Sequence, residues 1–232
     1  MKLTEISNPI DYNTVLNPKV WDHKRMRSEV RGALLRIAED FIEFINVDFP
    51  VLDIVITGGN ANYNYTTHSD IDLHIITDYN QVGCDKGVEA EMFDAKRRLY
   101  NRKYDLKING IQVELYVEDQ ANPAVSNGSY SVANEEWISR PNSNIPTYDK
   151  DELAHMVKVW ETIFDHTVKS GDLQDCRKAV QLLRAYRQKG LDTAAAEFSI
   201  PNLVYKSLRN SQHLDHVLDL IDQLHDKELS LK

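Results

Sequence analysis

The fold is decided by the stretch Ile54–Thr77, IVITGGNANYNYTTHSDIDLHIIT. It reads as a strand, a glycine turn, a short polar connection and a second strand. Because side chains alternate between the two faces of a strand, Asp70, Asp72 and His74 are predicted to share one face of the second strand. The opposite face is predicted to belong to the core, and it carries Ile71, Leu73 and Ile75.

The two aspartates predict a metal site. Two carboxylates side by side repel one another, which is costly unless a cation lies between them or one of them takes up a proton. Oxygen ligands on a strand, with no Cys or His at metal-ligand spacing, favour Mg²⁺ or Mn²⁺ over Zn²⁺. The alternative is that both aspartates are solvated charges at the edge of a sheet. The preceding Gly58–Gly59 pair favours the metal site, because glycines let a ligand approach the backbone closely.

Length and charge exclude some classes of function. The 232 residues are enough for one large or two small domains. A formal net charge of −9 argues against binding to extended duplex DNA, which normally requires a basic face. No apolar run approaches the roughly 20 residues that a membrane-spanning helix needs, and the N-terminal residues lack the layout of a signal peptide. We therefore expect a cytoplasmic protein with no membrane partner.

A third acidic residue is predicted to lie on a nearby strand. Apolar residues at helical spacing predict helices over residues 23–45 and 88–104. Asn109-Gly110 then predicts a type I′ hairpin turn within residues 104–117. If the return strand of this hairpin lies beside the strand of Asp70, Glu114 joins the two aspartates. The alternative is an exposed glutamate at a sheet edge. The basic run of the second helix, residues 96–103, is either a solvated face or the source of one or two phosphate contacts.

The second half of the chain is predicted to be helical. We expect a core domain at residues 1–145, which includes an extended N-terminal arm and the first helix, and a helical domain at residues 146–232. Asp149 predicts the start of a helix that ends at Gly171. A second helix is predicted to end at Gly190, and a short Ala-rich helix is expected over residues 192–198.

Gly58–Gly59, the pair Asp70 and Asp72, and the later Glu114 resemble the pattern of the nucleotidyltransferase superfamily, which has a polymerase-beta-like fold. The resemblance covers residues 52–117, and the wider layout is similar to that of small phage-encoded members, for which the location would be the host cytoplasm. It implies an α+β fold, with a mixed β-sheet nucleotidyltransferase core flanked by helices and followed by an all-helical C-terminal lobe.

The resemblance also implies a role for each matching residue. Asp70 and Asp72 would hold two Mg²⁺ (or Mn²⁺) ions, and Glu114 would complete the site of the ion that activates the attacking hydroxyl, or act as the general base. Nucleotide binding is expected at the turn and the connection that follows it. There the backbone of Gly58 and Gly59 would meet the triphosphate, and a helix beginning near Asn60 would add its dipole. The same expectation covers Asn60 and Ser69 themselves.

The implied activity is transfer of an NMP group from ATP or another NTP to an acceptor hydroxyl, with release of pyrophosphate. The acceptor could be a small molecule, a protein or an RNA end, and the acidic charge balance favours the first two. One alternative is a catalytically inactive nucleotide-binding regulatory or interaction module. A metal-dependent nuclease or phosphohydrolase is another. The three candidate carboxylates argue against the inactive module, and the glycine turn argues against the hydrolase.

Overall fold

The stretch that contains the two aspartates forms the centre of a mixed sheet. The computed structural model describes residues 13–83, 87–123, 126–142 and 147–230. Within these ranges the strands are β1 (Trp21–Asp22), β2 (Arg25–Met26), β3 (Asp53–Thr57), β4 (Ile71–Thr77), β5 (Lys107–Ile108), β6 (Ile111–Asp119), β7 (Ser129–Ser131) and β8 (Glu136–Ser139). In the same ranges the α-helices are α1 (Ser28–Ile45), α2 (Val88–Lys103), α3 (Lys150–Ser170), α4 (Leu173–Leu191), α5 (Ile200–Asn210) and α6 (His213–Leu229).

The chain divides into two compact units, which are described separately. One unit spans residues 12–144 and contains all the strands named above together with α1 and α2. The other contains residues 145–232 and, where the structure describes it, is helical. The prediction of a mixed sheet combined with helices is confirmed at this level.

The six-stranded sheet has the order β5-β6-β4-β3-β7-β8, and β1 and β2 form a separate two-stranded sheet. Strand β4 pairs antiparallel with β3 on one side and parallel with β6 on the other. A parallel neighbour requires a crossover connection, and α2 lies in that connection. The acidic strand β4 is therefore an interior strand of the sheet rather than an edge strand.

Alternation along β4 sets which residues enter the core. Ile71, Leu73 and Ile75 are each completely buried, as predicted from the sequence. Burying one such aliphatic side chain stabilises the fold by about 1.5–3 kcal/mol. A shift of one residue in register would move these three side chains out of the core, and so their burial also fixes the face on which Asp72 lies.

The hairpin predicted at Asn109-Gly110 is confirmed. Both turn residues have positive φ values, 52° and 80°, as a type I′ turn requires. The turn joins β5 to β6 in antiparallel register, with Ile108 opposite Ile111. Strand β6 then continues past the short β5 and pairs with β4 along its length.

A buried polar cluster supports the connection between β3 and β4. Asn60 is completely buried, and its side-chain amide donates to the carbonyl oxygens of Ser69 at 3.2 Å and Asp70 at 2.7 Å. Its side-chain oxygen accepts from Nδ2 of Asn17 at 2.7 Å, and its backbone carbonyl accepts from the indole N–H of Trp21. These bonds hold the backbone just before β4 in place.

The N-terminal arm that was predicted over residues 1–21 lies partly outside the described residues. From Asn13 onward the arm does lie on the domain, since the backbone N–H of Asn13 donates to Tyr63 O at 2.7 Å. Leu16 and Val20 are buried. None of the helices in the described ranges is long and apolar enough to cross a membrane.

The helical unit begins and ends its first helix where the sequence predicts. The Asp149 side chain accepts hydrogen bonds from the backbone N–H groups of Asp151 and Glu152, and Gly171 closes α3 with a left-handed φ of 62°. The core of the unit is built from the apolar faces of its helices. It includes Leu153, Trp160, Phe164, Leu183, Leu203, Leu208 and Val217.

Two predictions in this unit are confirmed only in part. Gly190 does not end the second helix, because α4 continues to Leu191. A Cβ at residue 190 would lie 2.4 Å from Oγ of Ser199 and 2.8 Å from Cβ of Pro201, so the glycine serves close packing. The expected Ala-rich helix is a 3₁₀ helix of three residues, Ala196–Phe198.

We predict that Asn60→Ala lowers the free energy of unfolding of the sheet-containing unit by about 1–3 kcal/mol, because buried partners of the amide lose their hydrogen bonds. Urea unfolding followed by tryptophan fluorescence, to which Trp21 and Trp137 contribute, measures the loss. The matched control is Asn134→Ala, which removes an exposed amide from the same unit and should change stability by less than about 0.5 kcal/mol. Equal effects of the two substitutions would contradict the role of Asn60 in holding the backbone before β4 in place.

Candidate metal centre

Three carboxylates meet where β4 and β6 run side by side. Asp72 on β4 lies directly opposite Glu114 on β6, and Asp70 immediately precedes β4. Each of the three offers an oxygen, and these oxygens lie within 4.8 Å of one another. All three residues are partly exposed. The sequence predicted that Glu114 joins the two aspartates if their strands are neighbours. The parallel pairing of β4 with β6 meets that condition.

The chemistry of this donor set suits a hard divalent cation. It consists of carboxylate oxygens with no sulfur, and such ligands are preferred by Mg²⁺ and Mn²⁺. His74 lies on the same face of β4, but both its ring nitrogens are engaged by protein groups. Within the described ranges, the structure brings together no further group of three or more Asp, Glu, His or Cys residues at such distances.

The glycine at the end of β3 makes room for Asp72. Gly58 has φ 71° and ψ −157°, a region of backbone conformation that is essentially restricted to glycine. A Cβ at this position would lie 2.0 Å from Oδ2 of Asp72. The absence of a side chain at Gly58 therefore determines where the Asp72 carboxylate can lie.

The backbone N–H of Gly58 already has a partner in this conformation. It donates to Oγ of Ser126 at 3.3 Å, and the Ser126 hydroxyl donates to the carbonyl of Gly128 at 2.9 Å. A bound oxyanion at the glycine turn would replace or share this long hydrogen bond. Ser126 belongs to the Ser/Gly/Tyr segment of residues 126–131, whose turn-like composition gave no specific signal for this contact.

The helix expected near Asn60 is smaller than predicted. Gly59–Ala61 form a 3₁₀ helix of three residues, which aligns too few peptide dipoles for a strong N-terminal field. Asn60 itself lies beneath the turn, where its side chain binds protein groups rather than facing solvent. Ser69 closes the adjacent turn, since its Oγ accepts from the N–H of Thr66 at 2.8 Å. The structure thus places both residues in the support of the loop.

A buried histidine follows the aspartates on the same face of β4. Its Nδ1 contacts Oε2 of Glu118, and its Nε2 lies 3.1 Å from Oγ1 of Thr57. The ring of His74 therefore has a fixed orientation between β3 and β6.

Tyr116 links this histidine to the carboxylates. Its ring stacks on that of His74, with centroids 4.8 Å apart and an interplanar angle of 16°. Its hydroxyl donates to Oε2 of Glu114 at 2.7 Å. Burial, together with the carboxylates of Asp72 and Glu114, raises the pKa of Tyr116 far above its ordinary value, so the hydroxyl remains a donor. Sequence reasoning assigned no role to Tyr116 or Glu118, although alternation along β6 places both on the face of Glu114.

The basic run of α2 divides between several partners. Lys96 and Lys103 each lie over the ring of Phe44, and Arg98 pairs with Asp94. Arg97 also pairs with Asp94, and its guanidinium carbon lies 4.9 Å from the centroid of the Tyr116 ring. Of these residues, Arg97 is thus the one whose contacts reach the face that carries Glu114.

Comparison with protein-family models, curated proteins and solved structures finds no match to this chain. The function proposed below therefore rests on the arrangement of the chain's own residues.

We predict that Gly58→Ala weakens Mn²⁺ binding by about tenfold or more, because the added methyl group displaces the Asp72 carboxylate and disturbed ligand support typically costs 10–100-fold. Electron paramagnetic resonance of free Mn²⁺ during a titration gives the dissociation constant. The matched control is Gly110→Ala, which also places alanine at positive φ but meets no atom within 4 Å.

Both glycine substitutions should destabilise the fold through backbone strain, by about 1–2 kcal/mol at the left-handed Gly110 and by about 1–3 kcal/mol at Gly58. Unchanged Mn²⁺ affinity in Gly58→Ala, or an equal loss in both variants, would show that the turn does not position Asp72 for a cation.

Proposed function

We propose that the chain is a metal-dependent nucleotidyltransferase, which transfers an NMP group from an NTP to an acceptor hydroxyl and releases pyrophosphate. The observation that carries this proposal is the convergence of Asp70, Asp72 and Glu114 beside a glycine turn. The pairing of carboxylates on neighbouring strands with a close-approach turn is what a polymerase-beta-like core requires. The mixed sheet with an interior acidic strand supports that more specific fold.

Asp70 and Asp72 are the residues that would hold divalent cations, and Glu114 would complete the set. When bound, a pair of such ions stabilises the attacking and leaving oxygens of an in-line phosphoryl displacement. The fit follows from the donor set, because three mutually repelling carboxylates on hydrogen-bonded strands gain most from a dication.

Binding of the phosphate and acceptance of the proton would be carried out by groups of the protein. The Gly58 turn has no side chain to obstruct a phosphate oxygen, and its N–H can donate to that oxygen in place of Ser126. Glu114 is the carboxylate that would accept the proton of the attacking hydroxyl. The reaction then forms one P–O bond to the acceptor oxygen and breaks the bond between the α- and β-phosphates, so pyrophosphate leaves.

The acceptor is proposed to be a small molecule or a protein side chain. The formal net charge of −9 disfavours a long polyanion as partner, because such binding depends on cationic contacts with phosphates. A short RNA end remains an acceptor to be included in the test.

The proposal is tested by supplying NTPs labelled at the α- or γ-phosphate, with Mg²⁺ or Mn²⁺ and cell extract as the source of acceptors. Transfer of α-label to an acceptor together with release of pyrophosphate supports the proposal. Transfer of γ-label would identify a kinase instead, and free phosphate without acceptor labelling would identify a hydrolase. Nucleotide binding without turnover would favour the regulatory module. Chelation of the divalent cation should stop transfer, and adding the cation back should restore it.

We predict that Asp72→Asn lowers the transfer rate by about a hundredfold or more, since losing one metal ligand removes several kcal/mol of transition-state stabilisation. The rate of acceptor labelling measures the effect, and circular dichroism shows whether the fold is kept. Asp105→Asn is the control, because it changes an exposed carboxylate of the same unit and should leave the rate within a factor of two. A wild-type rate for Asp72→Asn would refute the metal assignment.

A further inference from the structure

The tyrosine beside Glu114 has no role in the reaction proposed above, yet it contacts one of the three carboxylates. Tyr116 follows Glu114 by two residues on β6, so the two side chains lie on one face of the strand. Its hydroxyl donates to Oε2 of Glu114 at 2.7 Å. Glu114 is only partly buried, and a glutamate side chain in such surroundings has several rotamers to choose from unless a contact selects one.

The ring that carries this hydroxyl is itself held in place. One contact is the near-parallel stack on His74, whose own orientation is fixed by Glu118 and Thr57. The other is Arg97 of α2, whose guanidinium lies within cation–π distance of the ring. The hydroxyl therefore occupies a defined position, set by groups on β3, β4, β6 and α2.

We propose that Tyr116 is a positioning residue of the carboxylate centre, which orients Glu114 for cation binding. This inference rests on one part of the proposed function, the binding of a divalent cation by the centre. It does not depend on the transfer reaction. Hydrogen bonds from neighbouring groups commonly orient carboxylate ligands, and their removal typically weakens metal binding 10–100-fold. The bond is not needed for strand pairing, because the backbone already joins β6 to β4 along its length.

The test compares Tyr116→Phe with Tyr79→Phe. Each variant deletes one tyrosine hydroxyl in the same unit and keeps the ring, but the Tyr79 hydroxyl donates to a backbone carbonyl, that of Val117, at 3.1 Å. Mn²⁺ titrations of the full chain without nucleotide, followed by electron paramagnetic resonance, give the two affinities. We expect Tyr116→Phe to bind Mn²⁺ 10–100-fold more weakly than the unsubstituted protein, and Tyr79→Phe to bind it within a factor of two.

A double substitution separates positioning from a general structural effect. If Tyr116 acts through Glu114, its hydroxyl should no longer matter once the carboxylate is gone. Adding Tyr116→Phe to Glu114→Gln should then change Mn²⁺ affinity less than twofold. A further tenfold loss in that background would overturn the proposal, and so would a Tyr116→Phe chain that no longer folds, because the hydroxyl would then serve the fold.

The other outcomes are equally decisive. Unchanged affinity in Tyr116→Phe, or an equal loss in Tyr79→Phe, overturns the role of Tyr116 and leaves the metal centre standing. No Mn²⁺ binding by the unsubstituted protein overturns both this role and the proposed function. Mn²⁺ binding with the expected response to Tyr116→Phe, but without any nucleotidyl transfer, supports the positioning role while refuting the transferase.

Discussion

The mutual repulsion of three carboxylates held within 4.8 Å is the constraint on which the rest of the site depends. At such distances two unit charges repel by about 1 kcal/mol in water and by about 4 kcal/mol near a protein surface. The backbone cannot relieve the repulsion by moving apart, because Asp72 and Glu114 occupy directly paired positions on hydrogen-bonded strands. The core side chains of β4 fix the register. A cation that binds the three oxygens turns this unfavourable arrangement into a favourable one.

The residues around the carboxylates have in common that they restrict how the acidic side chains can move. Gly58 leaves space that the Asp72 carboxylate fills, and Asn60 binds the backbone carbonyl of Asp70. Tyr116 holds one oxygen of Glu114. Each of the three acidic residues thus has its own support from a different part of the chain. Such support is what a site needs if its ligands are to be in place before the cation arrives, since ordering them on binding would reduce affinity.

The sequence predicted what depends on local periodicity and failed where distant segments decide. Alternation along β4 correctly placed Asp72 and His74 on one face of the strand and Leu73 and Ile75 on the other. The positive φ values at Asn109-Gly110 were expected from residue type. The pairing of Asp72 with Glu114 could only be stated as a condition, because nothing local specifies which strand lies beside which. Asn60 was assigned to nucleotide binding through the family resemblance, because a helix was expected to begin there beside the glycine turn. Its burial depends on Asn17 and Trp21, which lie some forty residues away. Gly190 was predicted to end a helix because glycine often does so. Its actual role is close packing against Ser199 and Pro201, which lie about ten residues later and could not be recognised locally.

The most direct test of this account is a crystal structure of the protein soaked in Mn²⁺, with diffraction data collected at the manganese absorption edge. The account predicts an anomalous peak among the carboxylates of Asp70, Asp72 and Glu114, bound to their oxygens at about 2.0–2.2 Å, as expected for a small divalent cation. Anomalous density only at other places on the protein, with the three carboxylates splayed apart, would contradict it.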